Sequence, residues 1–237
     1  MTVTKPDGTP GLLYHGHLGP AVEAELPEYS TAELAKADQR LLAALFRDYT
    51  FLTSAYLLEP CDIQYRKDGT YGLGRARLPA NVARPLKYVA DRLQARPFME
   101  YAMTYALYNW RRVDLNRGID YDNLRLIRTL HGGPAEHGFI LVHVAMVAHT
   151  GDLVRNTQRA LAAAEAKDAA ALLAVLQDYH RNLVTINEVM ETMWKRSDVR
   201  TRVAAVAGGG AANANAPGRR RRLFAGNDRS WRSRTTT

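Results

Sequence analysis

The sequence is poor in cysteine and, over most of its length, carries no excess charge of either sign. Each shortage excludes a class of protein. A single thiol, Cys61, rules out an internal disulfide and fits a reducing compartment. The formal net charge of +8 looks basic, but nine Arg and one Asp fall from Arg200 onward, which leaves 23 basic and 23 acidic side chains in residues 1–199. A neutral body removes the main support for a nucleic-acid groove, so no nucleic-acid partner is expected. No unbroken apolar run reaches the ~18 residues of a membrane span, and the opening MTVTKPDGTPGLL has no charged segment leading into an apolar one. The expectation is a soluble, cytoplasmic chain with no membrane partner. G-x-S-x-G, H-E-x-x-H, C-x-x-C and the phosphate loop are also missing; Gly72 and Gly74 lie in a turn-rich stretch without the lysine–serine pair such a loop needs.

What the chain does have is an ordinary core composition, 46% hydrophobic in 237 residues, and helical punctuation. Ser30-Thr31-Ala32-Glu33 is a capping box ahead of a stripe from Leu34 through Leu41, Leu42, Leu45, Phe46 and Tyr49, a first helix expected to stop at Pro60. Pro85 and Pro97 read as first-turn prolines, each opening a helix, the second with an aromatic stripe of Phe98, Tyr101, Tyr105 and Tyr108. Asp152 and Asp168 read as caps of two later helices. In the second of these, Leu172, Leu176, Tyr179, Leu183, Ile186, Met190 and Met193 form one seam. Residues 1–29 show no period and are expected to be an irregular arm.

The stretch DNLRLIRTLHGGPAEHGFILVHVAMVAHT, Asp122–Thr150, stands at the centre. Its apolar part is too long for an ordinary strand, with Pro134 and Glu136 ahead of it and Gly151 after it, so it reads as a buried helix. On that helix Phe139, His143, Met146 and Thr150 share a face. His131, His137, His143 and His149 recur every six residues, a rotation of roughly 240° that keeps successive members on different faces and argues against a metal cluster. His143 has the most apolar surroundings, where burial favours a neutral imidazole, either as a ligand contact or as a structural histidine bonded to a carbonyl. From these residues alone the chain reads as helical, soluble and a candidate for ligand binding.

The blocks YGLGRARLPANVARPLKYVADRLQARPFMEYAMTYALYNWR and DNLRLIRTLHGGPAEHGFILVHVAM, with the long helix running to Trp194, resemble the N-terminal half of the indoleamine 2,3-dioxygenase family over about Arg40–Arg196. The L-Y-N-W and H-G-F-I-L-V pieces are the most specific. The resemblance implies an all-α fold: a small helical domain (30–121), then the first long helices of a haem-binding bundle (122–196); the aperiodic, Arg-rich composition beyond them reads as a disordered basic tail (197–237). It implies haem b with its iron, O2 as co-substrate, and insertion of both oxygen atoms across the indole C2–C3 bond. L-tryptophan would become N-formylkynurenine, the first step of tryptophan catabolism by the kynurenine pathway. Phe139 corresponds to the distal phenylalanine that packs on the indole. His143 falls where many members have serine, and related tryptophan dioxygenases use a distal histidine to accept the indole N–H, so a catalytic role is carried to His143. Ala102 and Tyr105 fall on the helix walling the same pocket.

The family's proximal haem-ligand histidine, its phenylalanine–arginine pair and its G-T-G-G-T loop have no counterpart after Arg196, so no metal ligand is assigned. The sequence there turns into an aperiodic Arg, Ala and Gly mixture with Arg219–Arg222. The expectation drawn from this is a truncated or frame-shifted, inactive member whose uncovered apolar faces favour self-association. The alternative is a non-enzymatic helical module, or a remnant, that binds no haem.

Overall fold

A computed structural model describes residue 5 and residues 7–197. The expected disordered tail and the Arg219–Arg222 patch lie outside the described residues. The chain is all-α. Helices α1 (Leu12–His15), α2 (Leu18–Glu25), α3 (Thr31–Leu34), α4 (Gln39–Asp68) and α5 (Ala80–Arg92) come first. A π-helix (Tyr101–Leu107) and a two-stranded antiparallel ribbon, β1 (Trp110–Arg112) with β2 (Leu124–Leu126), follow. Then come α6 (Pro134–Val147), α7 (Thr150–Glu165), α8 (Ala169–Glu191) and α9 (Met193–Arg196).

The first core forms around α4, whose 30 residues span about 45 Å. Phe46 and Tyr56 of α4 meet Val82, Leu86 and Val89 of α5, with Leu13, Leu18 and Val22 packed in from the first two helices. The arm expected to be irregular is therefore two short helices. Neither is long enough to show a period, and what folds them is burial of three apolar side chains rather than local pattern. Ser30 and Glu33 do form the reciprocal capping box, but it caps only the four-residue α3; the long helix expected to follow from it begins at Gln39, capped by Asp38 through Leu41 N–H.

Pro60 does not end the first helix; it lies inside α4. A proline lacks the N–H that would bond the carbonyl four residues back, here that of Tyr56. The Arg75 guanidinium donates to that carbonyl instead, while the Arg75 backbone N–H donates to the carbonyl of Leu57 at 2.9 Å. The carbonyl freed at Pro60 is thus satisfied by the segment alongside the helix, and the helix continues. The same arginine pairs at 2.6 Å with Glu59, a fully buried carboxylate. Glu59 also accepts from the backbone N–H groups of Leu18 at 2.8 Å and Gly19 at 3.0 Å, capping the start of α2, whose own N-cap residue His17 makes no side-chain bond.

Pro85 likewise sits within α5, which starts at Ala80 after Pro79 rather than at Pro85. Pro97 does not open an α-helix. The chain there bends, and the following turns are π-type, with Tyr105 N–H reaching the carbonyl of Glu100 at 3.3 Å and Tyr108 N–H that of Met103 at 2.9 Å. Fully buried Asn109 ends them: its amide donates to the carbonyls of Tyr105 and Arg128 and accepts from Arg128 N–H at 2.8 Å.

A second core gathers Ala106, Leu124, Ile140, Leu141 and Val144, with Tyr105, Trp110 and Phe139 at its edge. The segment Pro134–Glu165 is apolar enough by length and composition to cross a membrane. Any window of that length runs past the 14 residues of α6, however, and Ile140, Leu141, Val142 and Val144 are buried against protein. Helices α7 and α8 form a hairpin turned at Lys167, a positive-φ residue, with Asp168 capping α8 through Ala171 N–H at 2.9 Å. In α8 only Val175 is buried among the described residues, and Leu176, Leu183 and Met190 of the expected seam are exposed.

Candidate functional site

The candidate site is the face where α6 meets the π-helix, and its placement begins at the entry to α6. Pro134 occupies the first turn after Gly133, as expected from the sequence. Glu136, in the same turn, folds back to accept from the backbone N–H groups of Leu130 at 2.9 Å, His131 at 3.0 Å and Gly132 at 2.8 Å. Gly132 has φ +84°, the left-handed turn that lets these successive N–H groups converge on one carboxylate. The Tyr105 hydroxyl donates to the same carboxylate at 3.2 Å. One acid therefore ties the loop, the helix N-terminus and the π-helix together, and fixes the axial position of everything further along α6.

The opposite side of the same turn of α6 is set by Gly138. A Cβ there would lie 1.8 Å from the carbonyl oxygen of Arg196, so only glycine lets α9 close onto α6. Arg196 in turn stacks over the Tyr121 ring at 3.9 Å.

The aromatic groups lie on the Glu136 side of α6. Tyr101 is the hub: its ring centroid is 5.4 Å from that of His143, 5.8 Å from Tyr105 and 6.0 Å from Phe139. Tyr105 stacks at 5.6 Å on the buried ring of Phe51, which anchors the cluster to α4. The Tyr101 hydroxyl lies 3.1 Å from His143 Nδ1. Burial lowers the His143 pKa from its usual 6.5, so the imidazole is neutral at pH 7. Half-buried rings with one neutral imidazole among them suit a flat, apolar ligand carrying a single hydrogen-bonding group.

Of the four residues picked from sequence, Phe139, His143 and Tyr105 are brought to this face. Ala102 is exposed, on the adjoining turn of the π-helix. Tyr105 walls the face with its ring, while its hydroxyl is bonded to Glu136. Tyr101 was read only as one of an aromatic stripe, and nothing in the pattern marked it as the contact to His143. A second concavity, of about 430 Å³ between α7 and α8, is lined by His149, Asn156 and three arginines. Its arginines are matched by acids: Arg159 meets Asp178 at 2.9 Å, Arg155 pairs with Asp152 and Arg181 with Asp178. The Arg159 hydrogen bond, with Arg181 alongside, holds the Asp178 carboxyl below the usual carboxylate range. That cleft is a salt-bridge lattice between helices rather than a receptor for an apolar ring.

Among the described residues no three His, Cys, Asp or Glu side chains converge on a metal-sized space. The fit to a haem is one-sided. Tyr101, Phe139 and His143 suit the apolar face above a macrocycle, and no axial ligand is assigned among the described residues.

The fold and the site define an all-α protein with aromatic rings and an imidazole gathered on the face shared by the π-helix and α6. The family model for indoleamine 2,3-dioxygenase matches residues 7–231, beyond the Arg40–Arg196 stretch on which the sequence resemblance rested. The chain belongs to that family. It is 29% identical over 184 residues to indoleamine 2,3-dioxygenase 1 of Mus musculus and 28% identical over the same length to that of Rattus norvegicus. Each alignment covers 78% of this chain and 42% of the relative, so the chain spans less than half the length of these curated relatives.

Proposed function

We propose that this chain carries the substrate wall of a haem-dependent indole dioxygenase that converts L-tryptophan to N-formylkynurenine. The observation that carries the reading is the Tyr101, Phe139 and His143 cluster on the face shared by the π-helix and α6. Haem b, when bound, would supply the activation of O2. The chain's own residues do the rest. Phe139 offers a ring on which an indole can pack, and Tyr101 closes the wall beside it. His143, neutral at pH 7, accepts the indole N–H, which orients the C2–C3 bond and satisfies a donor that would otherwise be buried unpaired. The second core behind Phe139 keeps water from that side of the ligand. The proposal extends to self-association, since Leu176, Leu183, Met190 and Trp194 expose apolar surface along α8 and α9.

The test is a haemin titration of the purified chain, followed by addition of L-tryptophan. Saturation near one haem per chain, with a Soret band that L-tryptophan perturbs in the parent and not in Phe139→Ala, is the expected result. Absence of saturable haemin binding would overturn the enzyme reading and leave a helical binding module.

A further inference from the structure

We infer that Tyr101 is the positioning residue for His143: its phenol oxygen accepts from Nδ1–H and so presents an unprotonated Nε2 to the ligand. The inference rests on the proposed role of His143 towards an indole, and deepens it by naming the group that decides which ring nitrogen carries the proton. A neutral imidazole has one donor and one acceptor. If Nε2 is to accept an indole N–H, the proton must sit on Nδ1, and Nδ1–H then needs an acceptor of its own. Tyr101 Oη lies 3.1 Å from Nδ1, within hydrogen-bond reach. A phenol oxygen can accept from the imidazole while its own O–H donates elsewhere, and Tyr101 is 42% exposed, so water can reach that face.

The geometry also fixes the ring as a body. The Tyr101 and His143 rings meet edge to face, with centroids 5.4 Å apart and planes 63° apart. Tyr101 is held in turn between Tyr105 and Phe139. Tyr105 is anchored by its hydroxyl on Glu136 and its ring on Phe51. The imidazole is therefore oriented by a chain of contacts that begins at the carboxylate gripping the start of α6. Second partners of this kind commonly set the tautomer of a functional histidine.

The test reads the proton directly. Histidine in the full chain is labelled with ¹⁵N, the His143 signals are assigned by comparison with His143→Gln, and two-bond ¹⁵N–¹H couplings report the protonated nitrogen. The expected result is Nδ1–H in the parent and a shift towards Nε2–H in Tyr101→Phe, which keeps the ring and removes the oxygen. Affinity for indole or L-tryptophan should then weaken about two- to tenfold, the scale of one neutral hydrogen bond. Nε2–H in the parent, or a tautomer unchanged by Tyr101→Phe, would overturn the inference. If the variant does not fold, the parent spectrum alone decides. A tautomer that follows Tyr101 while Nε2 ignores added indole would sink the proposed function and leave this inference standing.

Discussion

Replacing Glu59 by alanine isolates the polar knot that joins α2, α4 and the segment through Arg75. The carboxylate is fully buried and serves three donors, the N–H groups of Leu18 and Gly19 and the Arg75 guanidinium. Truncation orphans two backbone donors at about 1–3 kcal/mol each and leaves a cation without its partner, for which buried pairs give about 3–5 kcal/mol in total. These overlap, and the Arg75 side chain is 26% exposed and so partly solvated, which favours the lower half, about 3–4 kcal/mol. Against a stability of about 5–15 kcal/mol that is a large fraction. For a chain of this size it corresponds to a fall in Tm of roughly 6–16 °C. Urea unfolding followed by far-UV circular dichroism measures it, and amide exchange at Leu18 and Gly19 should accelerate in step. Glu59→Gln, which keeps the volume and one acceptor, should lie between the alanine variant and the parent. A loss below about 1 kcal/mol in Glu59→Ala would refute the argument and mean that Leu18 and Val22 hold α2 by apolar burial alone.

Gly138→Ala should cost about 1–3 kcal/mol in urea unfolding, because its Cβ would meet the Arg196 backbone and not a flexible side chain; an unchanged midpoint would show that α9 is not seated there. His143 should titrate below 6.5 when its ring proton shifts are followed by NMR, since burial disfavours the imidazolium. The unfolded state then takes up the proton first, so the His143 contribution to stability is whole above pH 6.5 and is lost as pH falls from there towards the folded value. A midpoint at or above 6.5 contradicts the burial argument. Light scattering after size exclusion should show a mass that rises with concentration and reverts to monomer in a Leu176→Lys, Leu183→Lys double variant; a constant monomer mass in the parent removes the self-association proposal.

Much of the helical framework was legible because it is written in local chemistry. The Ser30–Glu33 box, the Asp168 cap and Pro134 in the first turn of α6 each satisfy or exploit terminal N–H groups within a few residues of themselves. The prolines misled for the complementary reason. Pro60 should stop a helix when nothing replaces the missing bond, and the replacement comes from Arg75, 15 residues on, through a loop whose path no periodicity reveals. Helices α1 and α2 were invisible because each is shorter than the window in which an amphipathic period can be counted.

The site divides along the same line. Phe139 and His143 were legible because α6 is a regular helix and one turn separates them. Tyr101 was not, although it is aromatic and lies in a stripe that was noticed. Its meeting with His143 depends on the chain between Pro97 and Asn109 closing as a π-helix, which turns the side chains differently from an α-helix of the same spacing. The cause of that closure is tertiary: Asn109 is pinned by Arg128, and Tyr105 is held by Glu136 and Phe51, so the turns must fit a span fixed from outside. It follows that loosening Glu136 should be felt at His143 before it is felt in overall stability. Glu136→Gln keeps one oxygen to accept from the loop while removing the charge that gathers its three N–H groups. The expected outcome is a changed His143 ring shift with a loss of stability under about 2 kcal/mol. An unmoved His143 signal would mean that Tyr101 is placed by its own ring contacts and not by the carboxylate behind Tyr105.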